Sequence, residues 1–222
     1  MKLFLELDFN CPRIVCDSCI NCKSEAGISL SKYKSRGCCY YYPKFTLFEL
    51  HKMAKFTEGF EVLNKILNNP GTKIYNYYIH SLGYFDKDGY DRYIKSDNKK
   101  LHGNIEDKSI FFRACPFVVD GKGCTIPPQF RTHVCNFFIC EEIISMAAKD
   151  DRFKYYLRER EKYSRWVSWE NKSLEYLLKE KNLTLKDNLY EVFELLKKVD
   201  LMEYNFPELE EIIIMNRDTL GA

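Results

Sequence analysis

The stretch Cys11-Pro12-Arg13-Ile14-Val15-Cys16-Asp17-Ser18-Cys19-Ile20-Asn21-Cys22 decides how the chain is read. Cys16, Cys19 and Cys22 are separated by two residues each. That gap lets neighbouring sulfurs turn onto one metal ion, or onto adjacent corners of a cluster, without stretching the backbone. Residues 11–44 around it show little hydrophobic periodicity and much Cys, Ser, Gly and Tyr. They read as a loop ordered by something other than an apolar core.

Outward from this stretch, the ten cysteines fall into two groups. Cys11, Cys16, Cys19, Cys22, Cys38 and Cys39 form the first, and Cys115, Cys124, Cys135 and Cys140 the second. Residues 1–10 alternate apolar positions with Glu6 and Asp8, too short and too acidic a run for a signal peptide. No segment reaches the ~20 apolar residues of a membrane span. A cytoplasmic, reducing location with no membrane partner is therefore expected, and there clustered cysteines bind metal rather than pair as disulfides.

The spacings fit more than one metal group. Cys16, Cys19 and Cys22 match the first three ligands of a ferredoxin-type [4Fe–4S] run, with Cys115-Pro116 as a distant fourth. Cys11, Cys16 and Cys19 match the opening of the plant-type [2Fe–2S] spacing. Cys19-x2-Cys22 followed by Cys38-Cys39 approaches a four-cysteine zinc ribbon, although adjacent cysteines diverge and suit two centres better than one ion. In the second group a hairpin is expected to place Cys115 and Cys124 on facing strands, with Cys135 and Cys140 on a turn or the first turn of a helix. The candidate ligands are Cys16, Cys19, Cys22, Cys38, Cys39, Cys115, Cys124, Cys135 and Cys140, holding an iron–sulfur cluster (4Fe–4S) or zinc. Cys11 is left outside this set. His133, two residues before Cys135, is a secondary candidate as ligand or hydrogen-bond donor to one.

The fold class expected is α+β, mostly α. It has an irregular Cys-rich metal-bound N-terminal region, small β-hairpins and a helical C-terminal tail. Thr46 and Glu49 stand at capping-box spacing before Leu47, Leu50, Met53 and Ala54, which share a helical face. A second helix is expected over 57–69, ended by Asn69-Pro70-Gly71. Residues 74–93 read as β with a hairpin turn at Asp86-Lys87-Asp88-Gly89, 95–108 as a polar loop, and 110–126 as a small hairpin turning at 120–123. Helices are expected from Cys140 onward, with Asp150-Asp151 a start or bend, and at 171–181, 187–199 and 207–217. Residues 1–145 form the cysteine-cluster region and 146–222 a helical tail packed on it, together one compact unit.

Residues 1–140 carry 20 Lys and Arg against 14 Asp and Glu, whereas 141–222 carry 14 against 18. The basic bias lies among the cysteines, at Arg13, Lys23, Arg36, Arg113, Lys122 and Arg131. There cations offset thiolate charge and lower thiol pKa, so a nucleic-acid partner is not expected. Glycine-rich nucleotide loops and the zincin and serine-hydrolase motifs are absent.

Several segments in order resemble the CxxCxxCC cysteine-cluster family of zinc- or iron-chelating domains. They are Cys16-Asp-Ser-Cys19-Ile-Asn-Cys22, then Gly37-Cys38-Cys39 leading into 44–51, then Cys115-Pro-Phe with Gly123-Cys124-Thr-Ile126, and Arg131-Thr-His-Val-Cys135. Lys23 stands where the compact motif has its last Cys, so Cys38-Cys39 take that role after an insertion. Thr132 replaces the usual Pro. The resemblance spans residues 11–145 and implies a metal-binding protein. A more distant likeness to flagellin lysine-N-methylase implies the alternative, an iron–sulfur-dependent modifying enzyme such as an S-adenosylmethionine-dependent protein or peptide methyltransferase. The partners implied are the metal or cluster and a protein or peptide.

Overall fold

A computed structural model describes residues 2–8, 11–17, 19, 24–96 and 105–215. The chain runs through β1 (Lys2–Asp8), β2 (Cys11–Cys16), β3 (Lys44–Thr46), α1 (Leu47–Lys55), α2 (Thr57–Leu67), β4 (Thr72–Ile74), β5 (Tyr78–Ser81), β6 (Tyr84–Phe85) and α3 (Lys87–Lys95). It continues through β7 (Arg113–Ala114), β8 (Val118–Val119), β9 (Gly123–Cys124), α4 (His133–Asn136), α5 (Glu141–Ala147), α6 (Asp151–Glu180), α7 (Leu189–Lys198) and β10 (Ile213–Met215). Helices joined to small antiparallel sheets make this an α+β fold. Among the described residues no helix is long and apolar enough to cross a membrane.

The helical half follows the apolar periodicity. The Glu49 carboxylate accepts from the Thr46 backbone N–H at 2.9 Å and from the Thr46 hydroxyl, satisfying the start of α1. α6 buries Phe153, Tyr156, Glu159, Tyr163, Val167, Glu170, Leu174 and Leu178 at three- and four-residue steps, one continuous stripe. No Gly or Pro interrupts residues 151–180, so the segment expected as a separate helix at 171–181 is the end of α6. The Asp150 carboxylate caps its start, accepting from Arg152 N–H at 2.9 Å. At its end Asn182 takes a left-handed φ of 53°. The amides of Asn182 and Leu183 then donate to Lys179 and Leu178 carbonyls at 3.0 and 2.9 Å, a Schellman closure. α1 packs against α2, α6 and α7, and Phe45, Leu47, Leu50, Met53, Ile66, Leu178 and Leu196 lose all solvent contact there.

Four further expected elements differ. Residues 11–16 are a strand, with Cys11 opposite Asp8 and Cys16 opposite Leu3. Arg13-Ile14-Val15 is a β-forming run that finds a partner in β1, so the loop is shorter than composition suggested. Asp86 does not make a hairpin turn; its carboxylate accepts from Gly89 N–H at 2.9 Å and caps α3. Lys108–Phe112 is a 3-10 turn and not a strand, burying Ile110, Phe111 and Phe112 as a second small core. Of the helix expected at 207–217, residues 216–217 lie outside the described residues, and 207–212 are irregular chain leading into β10, which pairs with β1. Its β-branched Ile212-Ile213-Ile214 run favours a strand once an edge is available. Residues 97–104 of the expected loop lie outside the described residues.

Candidate metal centre

Arg36 builds the floor of the thiol region. It is 2% exposed, and its guanidinium donates to the carbonyls of Ile28 at 2.8 Å, Ile110 at 3.0 Å and Gly37, with a longer contact to Ala26 at 3.5 Å. One side chain thus gathers the backbone of 26–37 against the second core. Gly37 follows with φ 57°, and a Cβ there would stand 2.6 Å from the Cys19 carbonyl oxygen. Only glycine allows that approach, which lays the Cys16–Cys19 turn against Cys38-Cys39.

Backbone bonds then tie this loop to the central cysteines. Cys115 N–H donates to the Cys39 carbonyl at 2.8 Å, Leu30 N–H to Phe111 at 2.8 Å, and Gly121 N–H to Ser35 at 3.1 Å. Asp120 returns a bond, its carboxylate accepting from Ser35 N–H at 2.6 Å. The β8–β9 hairpin turns through Gly121 and Gly123, both at positive φ. Its register sets Cys124 opposite Val118, so Cys115 precedes the strand and does not face Cys124 as a paired residue. The two thiols nevertheless lie within electrostatic reach of each other.

Cys135 arrives on α4. The Thr132 hydroxyl accepts from Cys135 N–H at 3.3 Å and caps this single turn. The turn is anchored from below by Glu49, which is 3% exposed and lies 2.9 Å from His133 Nδ1. His133 N–H donates to the same oxygen at 3.3 Å. These donors hold the Glu49 carboxyl below its ordinary value against the opposing effect of burial. Cys140 is the residue from which α5 starts.

Cys39, Cys115, Cys124 and Cys135, from three distant segments, therefore each lie within electrostatic reach of at least two of the others. Burial pushes the Cys115 thiol far up, and nearby Cys124, Cys39 and Cys135 add to the rise. Cys135 is pushed up to about 11, first by desolvation and then by Cys124 and Cys39. The residue as a whole is exposed, so that desolvation belongs to a crowded rim and not to the interior. Cys39 goes the other way, down to about 7, because the Cys38 thiol hydrogen-bonds to it and Arg131 and Arg36 offset its charge, against the opposing effect of burial.

The remaining candidates divide. Cys38 and Cys140 both lie near Tyr40. Cys16 is buried at the end of β2, and Cys19 is exposed on the following turn, its N–H donating to the Cys16 carbonyl at 3.3 Å. Cys22 and the side chain of Cys11 lie outside the described residues, as does His102. His51 packs away from the thiols, its Nε2 3.1 Å from the Val199 carbonyl, and His80 sits in β5 opposite Lys44 and Lys73. The eight cysteines whose side chains are described are free of disulfides.

Sequence reasoning missed the reach of Glu49 to His133 and the part played by Tyr40, Tyr41 and Tyr42. Burial raises all three phenols, with Cys38 acting on Tyr40, Cys135 on Tyr41 and Cys115 on Tyr42. A run of three tyrosines directly after paired cysteines was the available signal.

The donor chemistry suits a thiophilic metal: thiols that raise one another's pKa when ionised bind a proton or a cation. Among the described residues, however, no three or more His, Cys, Asp or Glu side chains stand close enough to hold an ion together. No family model, no curated protein and no solved structure matches this chain.

Proposed function

We propose that the protein binds metal through clustered cysteine thiolates, with an iron–sulfur cluster ahead of zinc. The reading is supported by the electrostatic reach among Cys39, Cys115, Cys124 and Cys135, which come from separate segments, and by Arg131 and Arg36 acting on Cys39. Cys39, Cys115, Cys124 and Cys135 would supply one set of ligands. Cys38, Cys140 and the Cys16-Cys19-Cys22 segment would supply another set or complete the first. A bound cluster would supply one-electron chemistry, and zinc a structural clamp.

The chain's own residues serve such a site in definite ways. The Cys38 thiol first, and then Arg131 and Arg36, bring the Cys39 thiol down to about 7. Glu49 orients α4 and thereby Cys135. Ligands drawn from separate segments close on the metal as it binds, which links metal affinity to the order of the loop. The likeness to the CxxCxxCC cysteine-cluster family agrees with this reading and with a reducing compartment.

Anaerobic purification with metal and acid-labile sulfide analysis tests the proposal. Iron and sulfide in comparable amounts with visible absorption is the expected result. About one or two equivalents of zinc without sulfide would retain the thiolate site and discard the cluster. Absence of both metals, with binding of added zinc no weaker after Cys39→Ser and Cys115→Ser, would remove the proposal.

A further inference from the structure

A cavity of about 630 Å³, lined by no cysteine, lies between α1, the start of α2, the turn at 128–130, α6 and the irregular chain after α7. Its walls are aromatic: Phe48, Phe56, Phe130, Tyr163, Trp166 and Tyr204 line it. Trp166 is fixed edge-on by Phe48 at 5.1 Å and flanked by Tyr204 at 5.4 Å. Tyr204 is itself held edge-on against Tyr163 at 5.3 Å. These rings brace one another in preset orientations, so a ligand entering meets walls already in place. The volume lies within the ~300–1,000 Å³ of small-molecule sites. It is too small for a packed helix, whose ~10–12 Å diameter needs a longer trough.

The charges at the mouth select the ligand. Glu58 and Glu203 are exposed there, against one ammonium, Lys52. The Lys52 Nζ leans over the Phe48 ring, 5.9 Å from its centroid, which already engages its charge. Glu58 stands in the first turn of α2, where it offsets the positive end of that helix. Gln129 Nε2 donates to its carboxylate at 3.2 Å and keeps it at the rim. An aromatic lining with two exposed carboxylates disfavours an anion and favours a cation.

The geometry points to a binding site for a planar aromatic cation in this cavity, stacked beside Trp166 with its charge toward Glu58 and Glu203. The site is independent of the metal reading and is tested on the full chain in the same state for every probe.

Trp166 and Trp169 are the two tryptophans of the chain, and Trp169 is 61% exposed and outside the cavity lining. Trp169→Phe therefore leaves Trp166 as the sole tryptophan, whose emission can be excited selectively over that of the tyrosines. Titration of this variant with 1-methylquinolinium, quinoline and quinoline-4-carboxylate should give saturable quenching, strongest for the cation. Its affinity should exceed that of neutral quinoline by about tenfold, with the carboxylate weakest. Glu58→Gln with Glu203→Gln, both surface changes, should reduce the cation's advantage to about twofold while leaving quinoline binding unchanged. Tyr204→Leu should weaken all three. Equal affinities for the three probes, a preference for the carboxylate, absence of saturation, or quenching indifferent to Tyr204→Leu would each overturn the assignment.

Discussion

In the helical half, Leu47, Leu50 and Met53 of α1 lose all solvent contact among helices whose apolar stripes face them. The loop carrying Cys38 and Cys39 has no such stripe. It is fixed by Arg36 reaching backbone carbonyls, by Gly37 admitting the Cys19 carbonyl, and by amide bonds from Leu30, Cys115 and Gly121. One half is ordered chiefly by side chains leaving water, whereas the other joins a small apolar cluster of Ile110, Phe111 and Phe112 to polar groups finding partners. Burial tolerates gradual change, whereas a polar anchor fails when one donor is lost. The thiol half is therefore the part whose order a bound metal can most readily control.

Leu50→Ala should produce the largest loss, about 2–5 kcal/mol in denaturant unfolding, as expected for a cavity in a packed core. A loss under about 1 kcal/mol would mean that the helical half is not close-packed. Arg36→Met should cost about 2–3 kcal/mol by leaving buried carbonyls without donors. Its effect should also be local: hydrogen exchange should accelerate at the amides of Leu30 and Cys115 while those of α6 stay protected. Uniform acceleration would erase the contrast between the halves.

Glu49→Gln sharpens the comparison, because Glu49 belongs to α1 yet holds α4. We expect a loss of about 1–3 kcal/mol at neutral pH, from an acceptor of several buried hydrogen bonds. The Glu49 carboxyl titrates below the ordinary value near ~4.3. Its stabilisation is thus complete above that value and is lost as pH falls through the lower, folded one. Glu49→Gln should flatten stability against pH in that acid range; an unchanged profile would show that Glu49 is not the linked group. The smallest effect concerns reactivity. In metal-free protein Cys39 should be alkylated first, with rate rising through about pH 7, and Cys115 should lag at every pH below 9. Faster labelling of Cys115 would contradict the charge distribution assigned to the site.

The helical half was legible because period and caps act locally. Thr46 with Glu49 marked the start of α1, and Leu63 lay on the buried face of α2. What failed there depended on partners far away in sequence: Ile212-Ile213 became extended because β1 offered an edge. The cysteine groups were visible by spacing, and Arg36 and Arg131 by their nearness to them. Their grouping was not. Cys39 meets Cys115 through a backbone bond across 76 positions, and no local pattern encodes such a contact. Asp86-Lys87-Asp88-Gly89 fits a turn and a helix cap equally well on local chemistry, and the chain beyond decided it.

X-ray absorption at the metal edge of anaerobically purified protein tests the central claim most directly. The account predicts a metal whose ligand shell is mainly sulfur, at about 2.3 Å for zinc or with additional short metal–metal scattering for an iron–sulfur cluster. A metal bound chiefly by oxygen and nitrogen, or a protein that takes up no metal while all its cysteines are reduced, would contradict it.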